Sequence, residues 1–292
     1  MKRIIYMLGL TMFLAACNNN SEESDAYGNF EATEVLVSAE VNGRSLRLTA
    51  EEGDVINKGA VICVIDTVPL TIKRDQLGAS KLAALSKLNQ VKAQIAVLKA
   101  QKKVAQKDFN RIEKMHNDGA ATARQFDEAE GQLTVMDRQL DSYHTQIKSV
   151  RAEVAVVERQ IEEVLDQLSR CEVKMPIQGT VLQKFSEEGE LIAGGKPIIK
   201  VADLERMYLR AYVSGKQLPQ LKLGQKVKVL FDKDASTNQS IDGVVSWISS
   251  SAEFTPKIIQ TKEERVDLVY AVKVKIQNDG RVKIGMPGEV KF

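Results

Sequence analysis

The side chains able to do covalent or metal chemistry are few. In 292 residues there are three cysteines, two histidines and one tryptophan. Two histidines leave little material for imidazole catalysis or for a zinc site, which draws on clusters of His and Cys. Cys63 and Cys171 both sit among apolar neighbours. Either they are buried free thiols or they form a disulfide, and spacing alone does not choose between the two. The third cysteine, Cys17, ends a run of a different kind. Bulk charge points to no nucleic acid: Lys2 and Arg3 removed from 41 basic residues leave 39, against 39 acidic ones. The chain is expected not to be an enzyme, with no catalytic residue, no cofactor and no metal.

Residues 1–16 read as an export signal. Lys2 and Arg3 form a charged start, Ile4 to Leu14 are almost all apolar, and Leu14-Ala15-Ala16-Cys17 closes the segment. The run is too short to span a bilayer stably. The LAAC ending matches the bacterial lipobox, in which the cysteine carries lipid and begins the mature chain, so Cys17 is the expected lipidation site. Residues 17–28, with the polar stretch NNNSEESD, then fit a flexible tether. An export context permits disulfides.

The elements that position the rest begin with a repeat. EEGDVINKGAVICVID at 51–66 returns as EEGELIAGGKPIIKVAD at 187–203. A shift of 136 superposes Val37 on Val173, Gly43 on Gly179, Glu51-Glu52-Gly53 on Glu187-Glu188-Gly189, and Gly59 on Gly195. Both copies are rich in Val and Ile and broken by Glu-Gly turns, which is a strand pattern. Neither copy is large enough to bury a core alone, so the two are expected to pack as one small β-sandwich.

Between the copies, Leu70 to Met175 contains no proline. Phe126, Ala129, Leu133, Met136, Leu140, Tyr143, Ile147, Val150, Val154, Val157, Ile161, Val164 and Leu168 alternate by threes and fours, all apolar. The same spacing runs through Leu77, Ala84, Leu88, Val91, Ile95, Leu98, Ala105, Phe109 and Ile112, with Lys81 and Lys102 interrupting it. Period 3.5 predicts a left-handed coiled coil. Asn117-Asp118-Gly119 is a turn signal, and Thr122 with Gln125 reads as a capping box. The segment is therefore expected to be an antiparallel helical hairpin, with an intermolecular coiled coil as the alternative.

After Asp203 short strand patterns take over, MYLRAYVSG, QKVKVLFD, SIDGVVSWIS, DLVYAVKVKI and GEVKF, which suit a small β-barrel. The expected fold class is α+β, elongated and multidomain: a split biotinyl/lipoyl-like β-sandwich, an inserted antiparallel coiled-coil hairpin, then a barrel. The expected bounds are 29–68 and 171–203 for the two sandwich halves, 69–170 for the hairpin with its turn at 116–122, and 204–292 for the barrel.

The two halves of the repeat resemble a biotinyl/lipoyl domain cut at its middle. A carrier domain would present a lysine on the turn joining the halves, and here that turn is the hundred-residue insertion. Export signal, split lipoyl domain, hairpin and barrel, in this order, resemble the periplasmic adaptor proteins, also called membrane fusion proteins or the HlyD family, over about residues 28 to 292. The resemblance implies a non-catalytic adaptor, anchored by lipid to the periplasmic face of the inner membrane, that bridges an inner-membrane transporter to a TolC-class outer-membrane channel. It also implies a homo-oligomeric ring, with six copies the family expectation. The family's hairpin tip carries Arg, Leu and Ser at a spacing matched here by Arg111, Met115 and Thr122. That match implies docking onto the channel, with two of three positions substituted. EFTPKIIQTKEERVDLVYAVKV at 253–274 resembles a segment of the branch paired with ABC-type exporters. The end of the chain at Phe292, without a further membrane-proximal domain, favours the same partner. A lipoprotein tether that spans the periplasm without a pump, or an adaptor of a non-ABC transporter, is the alternative.

Overall fold

The computed structural model describes residues 24–234, 237–254 and 268–292. The chain opens on β1 (Ala26–Glu31) and then enters a sandwich through β2 (Glu34–Ser38), β3 (Gly43–Leu48), β4 (Val55–Ile56) and β5 (Val61–Ile65). Two helices follow, α1 (Val68–Asn117) and α2 (Ala123–Arg170). The sandwich then resumes with β6 (Glu172–Lys174), β7 (Gly179–Lys184), β8 (Leu191–Ile192) and β9 (Pro197–Ala202).

The shift of 136 carries β3 onto β7 and β4 onto β8, residue for residue. The halves do not form one sheet each. The sheets run β2-β9-β7-β4 and β6-β5-β3-β8, so each draws strands from both halves. The repeated phrase supplies the locks. Gly53 and Gly189, at φ 94° and 87°, make turns whose N–H groups donate to Val181 O and Ser45 O, both at 2.9 Å. These acceptors are themselves one repeat apart. A side chain at such φ is strained, which fixes glycine there. Glu52 accepts from the Lys184 N–H at 3.0 Å, and its counterpart Glu188 accepts from the Leu48 N–H at 3.4 Å. Glu51 and Glu187 share one cation, Lys184, at 2.9 and 2.7 Å. Hydrogen bonds donated to Glu187 and Glu51 hold the Lys184 ammonium above its ordinary pKa. Each half thus closes the other's turns around a core that includes Ile62, Ile65, Met175, Val181, Ile192 and Ile198.

The helices form the hairpin that the heptads predict. At ~1.5 Å per residue, 50 and 48 residues give rods of about 75 and 72 Å. The apolar seam positions named above all face inward, buried or half-buried. The two interrupting lysines do not point into the seam unpaired. Lys81 reaches Glu158 of the other helix at 2.9 Å, and Lys102 pairs with Asp137.

The last segment supplies β10 (Arg206–Ser214), β11 (Lys226–Asp234), β12 (Thr237–Ile248), β13 (Glu253–Phe254), β14 (Leu268–Gln277) and β15 (Pro287–Lys291), with a 3₁₀ turn at Leu218–Gln220. The barrel order is β10-β1-β15-β11-β12-β14, closed by β14 on β10, with the short β13 added beside β14. One boundary moves. Residues 26–28 were expected in the tether and 29–31 in the first sandwich half, yet β1 completes the barrel, pairing with β10 and β15. Without it both neighbours would present open edges. Ala26 and Phe30 point into the barrel core. Gly28 permits the close approach: a Cβ there would fall 1.9 Å from the Arg210 carbonyl oxygen.

The second crossing between sandwich and barrel is pinned. The Asp203 carboxylate accepts from the Glu205 and Arg206 N–H groups and pairs with the Arg206 guanidinium at 2.7 Å. Partial burial pushes this carboxyl up, but Arg206 and the two N–H groups outweigh it and hold it below its usual range.

Candidate docking tip of the hairpin

The tip is built from the end of α1 and the start of α2. α1 stops at Asp118, and Gly119 at φ 74° reverses the chain. The exposed carbonyls are met locally: Gly119 N–H donates to His116 O at 3.0 Å, and Ala120 N–H donates to Met115 O at 2.7 Å. Thr122 then caps α2. Its hydroxyl accepts from the Gln125 N–H at 3.4 Å, and its own N–H donates to Gln125 Oε1 at 2.9 Å. This is the capping box expected from the sequence. The His116 ring stacks on Phe126 at 5.3 Å, and Phe126 meets Phe109 at 5.4 Å. His116 Nδ1 lies 3.1 Å from Ala121 O, which ties the ring to the turn. The sequence reading placed Phe109 and Phe126 in the seam but assigned His116 no role. Its place one residue before the turn signal was the available clue.

The three candidate docking residues all reach solvent. Met115 is 42% exposed at the last turn of α1. Arg111 lies one turn earlier on the same face, its side chain 71% exposed and paired with Asp108 at 2.8 Å. Thr122 is exposed on the far side of the turn, with its hydroxyl engaged in the cap. The arrangement offers a cation, a polarisable thioether and a hydroxyl at the end of a long rod. That is contact chemistry, with no nucleophile held beside a base.

The other candidates separate from this tip. Cys63 and Cys171 are free and buried in the sandwich core. Burial pushes both thiols up, and the Asp66 charge adds to the rise at Cys171. Such thiols are poor nucleophiles. Cys17, the export signal, the tether to residue 23, Pro256 and the run Lys262-Glu263-Glu264-Arg265 lie outside the described residues. Among the described residues no group of three or more His, Cys, Asp or Glu is placed to hold a metal, and no helix is long and apolar enough to cross a membrane. A groove of about 690 Å³ lies midway along the hairpin, lined by Gln90, Gln94 and Gln101 of α1 and Gln139, Ser142 and Tyr143 of α2. A second cavity of about 350 Å³ lies beside Tyr27, Tyr212 and Phe231 of the barrel.

Comparison with known proteins joins these parts. Residues 33–203 match the CzcB-like barrel-sandwich hybrid domain, and residues 203–291 match the LcnD-like C-terminal domain. Neither match includes β1. A UPF0194 membrane protein of Acidithiobacillus ferridurans is 27% identical, over 89% of this chain and 84% of that one. The UPF0194 membrane protein YbhG of Salmonella gallinarum is 25% identical, over 91% and 87%. In fold, the chain is similar to MacA from Actinobacillus actinomycetemcomitans, with a TM-score of 0.56 and 23% identity over 91% of this chain and 76% of that one. It is also similar to the membrane fusion protein Spr0693 from Streptococcus pneumoniae, with a TM-score of 0.52 and 17% identity over 91% and 97%. With more than half its length matched by the barrel-sandwich hybrid model, this chain belongs to the CzcB-like family and is a membrane fusion protein of the HlyD family.

Proposed function

We propose that the protein is a non-catalytic periplasmic adaptor of a tripartite efflux or secretion system. Lipid on Cys17 holds it to the inner membrane, and its hairpin tip engages a TolC-class outer-membrane channel. The observation that carries the reading is the tip: Arg111 and Met115 stand exposed on one face beside a capped turn, at the end of some 70 Å of coiled coil. An exposed Met and Arg are residue types enriched at protein interfaces. A single hairpin encloses no lumen, so transport requires several copies side by side, and six is the number the family leads us to favour. An ABC-type exporter is the favoured inner-membrane partner, on the sequence likeness of residues 253–274 to the ABC-paired branch. The role is coupling and sealing.

A photo-crosslinker in place of Met115, in living cells, tests this. A crosslink to an outer-membrane channel is the expected result. Crosslinks only to other copies, or none, would leave a lipoprotein rod without a channel and remove the adaptor reading.

A further inference from the structure

We propose that the end of the barrel bearing the 215–225 loop lies on the membrane and docks onto anionic lipid headgroups through Lys216, Lys222 and Lys226, with Leu223 inserted among the acyl chains. The inference rests on the Cys17 anchor proposed above.

Strand register defines the two ends of the barrel. Tyr27 lies opposite Tyr212, Val269 opposite Ser214, and Lys291 opposite Lys228. The start of β1, the ends of β10 and β15, and the start of β11 therefore share one end. Both crossings to the sandwich, at 32–33 and 203–205, leave from the opposite end. Asp25 ties the first end together: its N–H donates to Val290 O at 2.9 Å, its carboxylate accepts from the Phe292 N–H at 2.9 Å, and its carbonyl accepts from Gln217 Nε2 at 2.7 Å.

Chain length then places this end. Seven residue steps separate Cys17 from Ser24, and seven steps reach at most about 25 Å. A lipid on Cys17 keeps Ser24 within that distance of the bilayer surface. The 215–225 loop, bonded to Asp25, is kept there too.

What the loop presents fits a lipid surface. Its turn is fixed: Lys222 N–H donates to Gln225 Oε1 at 3.1 Å, and Gly224 at φ 83° donates to Val245 O at 2.8 Å. Leu221 is buried, yet Leu223 on the same turn is 67% exposed. A leucine held outward by a fixed turn is placed there by the fold. Leu268, at the same end, is 56% exposed. Lys216, Lys222 and Lys226 are exposed at the same end of the barrel as Leu223, and no ion pair of theirs is seen among the described residues. Of the nearby carboxylates, Glu253 is paired with the Arg210 guanidinium; Asp25 and Glu289 keep their charge but are hydrogen-bonded to the Phe292 N–H and the Ser24 hydroxyl. Basic side chains at one end with an exposed apolar one suit an anionic interface, where a single lipid anchor is weak and a second signal adds to it.

The test uses the full lipidated chain in vesicles of phosphatidylethanolamine with or without phosphatidylglycerol. Leu223→Cys carries an environment-sensitive dye; a second protein carries the same dye at Lys283→Cys, at the opposite end of the barrel. The expected result is a blue shift and quenching by spin-labelled lipid at 223 and not at 283. The quenching is strengthened by phosphatidylglycerol and lost in the combined Lys216→Glu, Lys222→Glu and Lys226→Glu variant, which still floats with the vesicles. Flotation with the dye at 223 no more quenched than at 283 overturns the membrane contact alone and leaves this end to the transporter. Failure of the parent chain to float overturns the anchor, and the contact with it.

Discussion

Along the hairpin, the seam changes character about halfway from base to turn. On the base side, Leu77, Ala84, Leu88, Val91, Ile95 and Leu98 of α1 are buried, as are Val150 and Val164 of α2, while Ile147, Val154, Val157, Ile161 and Leu168 of α2 are half-buried. On the tip side, Ala105, Phe109, Ile112, Phe126, Ala129, Leu133 and Met136 keep the same spacing but are only half-buried. There the aromatic contacts of Phe109, Phe126 and His116 and the Thr122 cap replace dry aliphatic packing. The sequence pattern is the same in both halves, so the pattern sets the register and side-chain content sets the local stability. A rod with a firm base and a lightly packed tip delivers the tip to a distance and leaves it able to adjust on contact. Low local stability is common in segments that bind.

The comparison breaks most sharply at the base. Ile95→Ala removes a buried side chain and is expected to cost about 3 kcal/mol. Hydrogen exchange should show faster opening over the middle of both helices together. If only amides near residue 95 respond, the base is not a cooperative unit. Phe126→Ala removes two ring contacts from a half-buried site and should cost about 2 kcal/mol. Its effect should stay within the last turns around 109–130, and spread to Leu88 or Val150 would contradict the contrast between the halves.

Much of this was legible beforehand, for identifiable reasons. The hairpin could be read because every seam position except Lys81 and Lys102 is apolar, and those two are paired across the helices by Glu158 and Asp137, contacts between residues far apart in sequence. The repeat could be read because Gly53, Gly59, Gly189 and Gly195 hold positive φ, where substitution is strained. The exchange of strands between sheets was not visible, since a repeat announces a symmetry and not which strands pair. β1 was hidden by composition. AYGNFE carries no run of branched residues, and its glycine is there to meet the Arg210 backbone. At the tip, Thr122 and Gln125 announced the cap, but nothing in one sequence says whether a capping hydroxyl also meets a partner.

Substitution separates those two roles. Thr122→Ala should cost about 1 kcal/mol of local stability through loss of the cap. Thr122→Asn restores a capping oxygen without a hydroxyl. If Met115 crosslinking to the channel recovers with Asn, capping accounts for Thr122. If exchange protection recovers and crosslinking does not, the hydroxyl itself makes a contact.

Arg111 carries the smallest expected stability effect and for that reason the clearest reading. It is largely exposed, and its pair with Asp108 is a surface contact between residues three apart. Such pairs contribute about 0–0.5 kcal/mol, so Arg111→Ala should leave hydrogen exchange at the tip unchanged. A guanidinium that meets a carboxylate or backbone carbonyl of the channel does so through several donors in a fixed fork, which lysine does not reproduce. Arg111→Ala and Arg111→Lys should then both weaken crosslinking from Met115, with Lys only partly sparing it. Full crosslinking in both variants would remove Arg111 from the contact and leave the tip's chemistry to Met115 and the turn.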